Sequence, residues 1–194
     1  MSGIRLYGQN IDIVFTTLNY QTKKYLSKFS CGNSEIDKYF CTYAFNDKDT
    51  VTHIFIDKQK DTPIALISIS CSKINYVEYV YDDSHNKHLH YLSSTPAIEI
   101  KYFATAEQYH SLPYYKNSNS SYTLSRAIMS KSISYIYKIS LENIGASKII
   151  LNSLPQAVNF YEACFFKRFE DNMDISEFSC YLDSCPMYFN LLPE

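Results

Sequence analysis

The sequence predicts an α/β protein, a mixed sheet with helices on both faces. Strand-patterned segments alternate with helically spaced ones along the chain. Its 194 residues contain no internal repeat and no separating linker, which suits one compact domain over residues 1–194. Hydrophobic residues make up 46% and charged residues 20%, the balance of an apolar core within a polar surface.

The elements follow in order. IDIVFTTL (11–18) alternates and reads as a first strand. NSEIDKYFCTYAFND (33–47) reads as a helix with Ile36, Phe40 and Tyr43 at helical spacing. Asn33 or Ser34 caps it, with Asp37 completing a capping box from Ser34. VTHIFID and PIALISISC flank the polar turn KQKDT and read as a β-hairpin. VEYVYDDSHNKHLHYLSST leaves strand, helix and loop open, whereas AIEIKYFAT (97–105) reads as a strand. A helix near 121–144 carries Leu124, Ile128, Tyr135 or Ile136, and Ile139 on one side, and Gly145 stops it. SKIILNSL (147–154) reads as a buried strand, and PQAVNFYEACFF as a helix that opens on Pro155. Short strands around 166–170 and 177–191 close the chain.

Charge and cysteine usage narrow the function. A net charge of −2 gives no global positive field toward nucleic acid or an anionic membrane. The opening MSGIRLYGQN has no apolar signal core, and no apolar run approaches membrane-spanning length. Cys31, Cys41, Cys71, Cys164, Cys180 and Cys185 form no CxxC and mostly lie inside patterned segments, which suits a reduced cytoplasmic location. His85, His88 and His90 lie close to Asp82 and Asp83, but their spacing fits no standard zinc motif, so no metal site is expected.

Three stretches carry a resemblance. LSKFSCGNSEIDKYF resembles the "F-x-C-G-N-x-x-I/L-D-x-x-L" opening of a bacterial branch of the GNAT superfamily of acetyl-CoA-dependent N-acetyltransferases. That branch includes toxin acetyltransferases of toxin–antitoxin pairs. AIEIKYFAT resembles the family's central strand, and ILNSLPQAVNFYEACFF its "N-x-x-A-x-x-F-Y-x-x-x-G-F" segment. The similarity spans roughly residues 11–170. It implies a GNAT-like mixed, mostly antiparallel central sheet with a splayed strand pair, and acetyl-CoA as co-substrate. Two departures stand out. The pyrophosphate signature Q/R-x-x-G-x-G/A is absent after Gln108, where the chain reads Tyr109, His110, Ser111, Leu112, Pro113. Phe165 replaces the glycine of the closing "G-F".

Transfer of an acetyl group to an amine requires that the ammonium, with a pKa of about 10.4, lose a proton before attack. Fixed donors must hold the thioester, and an acid helps the thiolate leave. The resemblance places Tyr161 as that acid; its spacing alone favours a core aromatic on an amphipathic helix. Glu99, within an apolar strand, is the candidate base, or else an ion-pair partner of Lys101. The backbone of Tyr102, Phe103 and Ala104 is expected to line the pantetheine arm, with Asn152 as a further cofactor contact or a turn residue before Pro155. The polar loop before the second long helix offers Ser121, Tyr122 and Arg126 to a pyrophosphate, since a helix N-terminus attracts anions whatever its side chains. A solvated loop capping an ordinary helix is the alternative.

The function read from the sequence is an N-acetyltransferase acting on a primary amine by direct attack. Two alternatives are carried with it: a catalytically degenerate GNAT-fold binding module, which the missing glycines favour, and a toxin-type enzyme acting on aminoacyl-tRNA. For tRNA, Lys23, Lys24 and Lys28 form the close basic cluster before the first helix, against an acidic net charge. The expected partner is an amine-bearing acceptor. A membrane is not expected, nor nucleic acid other than tRNA, and a homodimer is allowed.

Overall fold

A computed structural model describes residues 3–6, 11–82, 87–114, 122–174 and 183–192, with backbone alone for 3–6, 78–82 and 87–92. The chain divides into two compact units: Met1–Ser70 with Ile100–Ser134, and Cys71–Glu99 with Tyr135–Glu194.

The first unit holds β1 (Gly3–Leu6), β2 (Ile11–Thr17), β3 (Val51–Asp57) and its share of two long strands, β4 (Thr62–Asp82) and β5 (Lys87–Thr105). The order is β1-β2-β3-β4-β5, and β1–β2, β2–β3 and β3–β4 are antiparallel. The predicted hairpin joins β3 and β4, with a bulge between Phe55 and Ile56. Ile54, Phe55, Ile64 and Leu66 are buried, so this hairpin carries core on both faces rather than alternating. β1 was not legible in the sequence, because four residues ending in a polar run give too short a pattern.

Between β2 and β3 lies α1 (Ser34–Lys38), which continues as a π-helical turn over Tyr39–Tyr43. That widening puts Tyr39 and Phe40 in the interior. Helix α2 (Leu124–Ile139) buries Leu124, Ala127, Ile128 and Met129 in the first unit.

In the second unit the order is β4-β5-β6-β8-β7, with β6 at Lys148–Ser153, β7 at Lys167–Arg168 and β8 at Cys185–Asn190. Both β6–β8 and β7–β8 are antiparallel. Ile74, Ala97, Ile150, Met173 and Tyr188 form its core cluster, with Tyr76 and Phe169 packed against it. Gly145 at φ +72° ends the π-helical extension of α2, as its position predicted. Helix α3 (Val158–Ala163) follows a 3-10 turn that begins at Pro155. The unassigned segment around residues 77–95 is strand wherever described, because long-range pairing overrides its mixed local pattern.

Candidate active site

The FSCGNSEID stretch builds a clamp. Asn33 caps α1, its side-chain oxygen accepting the backbone N–H of Glu35 and Ile36 at 3.1 and 3.2 Å. Asp37 does not complete a box with Ser34, as the spacing suggested. Its carboxylate turns back and accepts the Cys31 N–H at 2.7 Å and the Ser30 hydroxyl at 2.8 Å. The tighter partner is the loop, because Asn33 already serves the helix donors. Gly32 sits at φ +78°, and the Ser30 carbonyl accepts the Glu107 N–H at 2.9 Å, which ties the loop to the end of β5. Burial pushes the Cys31 thiol up to about 11, so it carries almost no thiolate at neutral pH. The motif therefore shapes the chain and supplies no nucleophile.

β5 leads into the turn that replaces the glycine signature. Tyr39 and Tyr102 stack at 3.7 Å between ring centroids, with planes 19° apart. Phe103 is half-buried and Ala104 is buried. Beyond them, the Ala106 N–H donates to the Ile64 carbonyl at 2.7 Å, and a His110 ring nitrogen lies 2.7 Å from the Thr105 carbonyl. Tyr109 is 2% exposed, and its phenol donates to Asp57 Oδ2 at 3.0 Å. Burial first, then the nearby Asp57, raises its pKa, so it stays protonated. Asp57 is equally buried and caps its own turn, its Oδ1 accepting the N–H of Gln59 and Lys60 at 3.0 and 3.1 Å.

Two residues later, Ser111 adopts φ +56°, a left-handed conformation at the position of the family's first signature glycine. Such a conformation costs a non-glycine residue about 1–2 kcal/mol. A hydrogen bond to a carboxylate contributes about 1.5–3 kcal/mol, enough to offset it. Sequence reasoning missed Tyr109 and Asp57. The available signal was a tyrosine standing where the signature should start, together with an aspartate at the head of the KQKDT turn.

The polar loop is closed at its base. The Tyr114 N–H donates to the Tyr122 carbonyl at 2.9 Å, and Pro113 bridges Thr123. Tyr122 meets Tyr114 edge-on at 5.3 Å, and the Arg126 guanidinium lies 5.2 Å from the Tyr122 ring centroid. Thr123 caps α2 by accepting the Arg126 N–H at 3.3 Å, and the Leu124 N–H donates to the Leu112 carbonyl at 2.8 Å. Thus two of the first-turn donors expected to face an anion already have partners within the chain. Ser120, Ser121 and His85, and the side chains of His88 and His90, lie outside the described residues. Among the described residues no group of three or more His, Cys, Asp or Glu side chains could hold a metal ion.

In the second unit, β6 delivers Asn152. It pairs with Pro186 of β8, whose carbonyl accepts the Phe169 N–H at 3.1 Å and therefore faces β7. Strand geometry then turns the Asn152 backbone N–H and C=O away from β8, toward the β5 side. Its side-chain Oδ1 and Nδ2 are both buried with no hydrogen-bond partner among the described residues. Each unmet polar group costs about 1–3 kcal/mol, so a ligand amide bonded there would recover a substantial sum.

Tyr161 on α3 is 8% exposed. Burial first, then Cys164, pushes its phenol well above the ordinary tyrosine range. The helix ends with the Phe166 N–H on the Tyr161 carbonyl and the Phe165 N–H on the Glu162 carbonyl, both at 3.0 Å, with Phe165 at φ +70°. This is a Schellman end, formed despite the missing glycine. Glu99 is half-buried near the middle of β5. The second unit thus holds Tyr161, Asn152 and Glu99, and the first holds Tyr102, Phe103, Ala104, Tyr122 and Arg126.

No protein-family model matches the chain, and no curated protein matches it in sequence. Solved structures match it in fold. A tyrosine-to-phenylalanine mutant of the AtaT toxin superposes with a TM-score of 0.69 at 12% identity, over 95% of this chain and 92% of that one. AtaTR bound with acetyl-CoA gives 0.67 at 13%, over 93% and 94%. AtaT complexed with acetyl-methionyl-tRNAfMet gives 0.62 at 13%, over 92% and 95%. At such identities the likeness is one of fold: the chain has the GNAT-type fold of these toxins, a mixed, mostly antiparallel sheet with helices.

Proposed function

We propose that this chain is a cytoplasmic N-acetyltransferase that moves the acetyl group of acetyl-CoA to a primary amine by direct attack. The observation that carries it is Asn152, a buried amide with both ends unsatisfied on the strand where the resemblance implies a cofactor contact. Acetyl-CoA, when bound, supplies the thioester. In the second unit Asn152 bonds a pantetheine amide; in the first, the backbone of Tyr102, Phe103 and Ala104 offers partners of the same kind. Ser121, Tyr122 and Arg126 take the pyrophosphate. Glu99 accepts the amine's proton, directly or through water. Tyr161 donates to the departing sulfur; its raised pKa keeps the proton on the phenol at neutral pH, ready for a thiolate.

The test is the melting temperature with excess acetyl-CoA. Ligand at 100 times its dissociation constant adds about 2.7 kcal/mol to stability. No shift at millimolar acetyl-CoA returns the protein to the binding-module reading.

A second reading takes the amine of an aminoacyl-tRNA as acceptor, since a structure of this fold carries acetyl-methionyl-tRNAfMet. Lys23, Lys24 and Lys28 supply nearby cations, but Lys24 and Lys28 both pair with Asp61, at 3.6 and 3.2 Å, which weakens that field. A tRNA mobility shift that weakens steeply with salt supports this acceptor, and an absent or salt-insensitive shift removes it.

A further inference from the structure

We infer that Tyr109 is a positioning residue for cofactor binding: its phenol, anchored on Asp57, fixes the left-handed turn at Ser111 that glycine would otherwise supply. The inference rests on the acetyltransferase reading and concerns the first unit alone.

The segment from Thr105 to Leu112 is held at three points from outside and once within itself. Ala106 bonds to Ile64 of β4, Glu107 to Ser30 of the FSCGN loop, His110 to Thr105 and Leu112 to Leu124 of α2. These contacts fix the ends of the turn. Tyr109 is its one fully buried large side chain, and it reaches inward to a buried carboxylate and to the Thr62 hydroxyl, 3.2 Å away. Lys60 lies over the same ring, 5.3 Å from its centroid. A serine forced to φ +56° would otherwise relax toward negative φ, because its Cβ disfavours the left-handed region. A turn that populates the binding-competent shape for only part of the time loses affinity in proportion to that fraction. The buried phenol is therefore the device by which a glycine-less loop keeps one conformation.

The test is acetyl-CoA affinity by calorimetry on three proteins: wild type, Tyr109→Phe, and Tyr109→Phe with Ser111→Gly. Tyr109→Phe is expected to raise Kd about fivefold or more, through the lost competent fraction. Adding Ser111→Gly should recover most of that loss, because glycine enters positive φ without penalty. A tyrosine that merely packs the core would lower the melting temperature without this rescue. Unchanged Kd in Tyr109→Phe, or no recovery in the double variant, overturns the inference and leaves the acetyl-CoA reading standing. If the wild type itself gives no binding heat at millimolar acetyl-CoA, that reading falls and takes this inference with it. Should Tyr109→Phe fail to fold, Asp57→Asn serves instead. It keeps the turn-capping Oδ1, weakens the bond to the phenol, and should show the same rise and the same rescue by glycine at 111.

Discussion

Tyr161 and Phe166 are joined twice: the Phe166 N–H donates to the Tyr161 carbonyl at 3.0 Å, and their rings meet edge-to-face at 5.7 Å. These are the hydrogen bond and the hydrophobic contact of a Schellman helix end, so the cap that stops α3 also fixes the ring of the proposed acid. The residue between the two sides of this cap, Phe165, is left-handed and 79% exposed.

Phe165→Gly should therefore stabilise the protein. The left-handed backbone costs phenylalanine about 1–2 kcal/mol, and the greater freedom of glycine in the unfolded chain returns part of that. A net gain of about 1 kcal/mol is expected in urea unfolding. A loss of stability would mean that the exposed ring makes contacts that outweigh the strain.

Tyr161→Phe should lower turnover by about 10²–10⁴ with little change in fold, since the ring contact with Phe166 survives. Turnover equal to wild type at saturating acetyl-CoA would remove the phenol from the chemistry.

Asn152→Leu separates folding from binding. It replaces two unsatisfied buried polar atoms with apolar ones of similar size, so stability without ligand should hold or rise by about 1 kcal/mol. The thermal shift with acetyl-CoA should shrink. A variant that loses stability but keeps the full shift would assign Asn152 to the fold rather than to the ligand.

His53 makes stability depend on pH. It is 3% exposed on β3, with Phe15 at 5.3 Å, and burial depresses its pKa to about 4. In the unfolded chain it titrates at about 6.5, so below that pH the unfolded state binds the extra proton. Stability from this group is fully present above about pH 6.5 and is lost as pH falls toward about 4, by roughly 3 kcal/mol in all. Urea unfolding at pH 7, 5.5 and 4 measures the slope, and His53→Gln should flatten it. An equal slope in the variant would place the effect in other groups.

The sequence by itself determined the local elements. Short-range periodicity marked β2, β3, β6 and the body of α2, while Pro155 and Gly145 set where chain segments begin and stop. It also carried the motifs that point to the GNAT-type fold and to Asn152 and Tyr161. What only the tertiary structure decided lies in contacts, near and far along the chain, that no periodic pattern encodes. Asp37 serves Cys31 rather than Ser34, because the loop offers a donor after Asn33 has taken those of the helix. Tyr109 and Asp57, 52 residues apart, meet because β3 and the turn after β5 come together in one unit, a pairing that no local pattern encodes. The left-handed Ser111 and Phe165 follow the same logic. Their side chains disfavour that conformation; at Phe165 the Schellman bonds of the helix end impose it, and at Ser111 the bonds that hold the turn after β5.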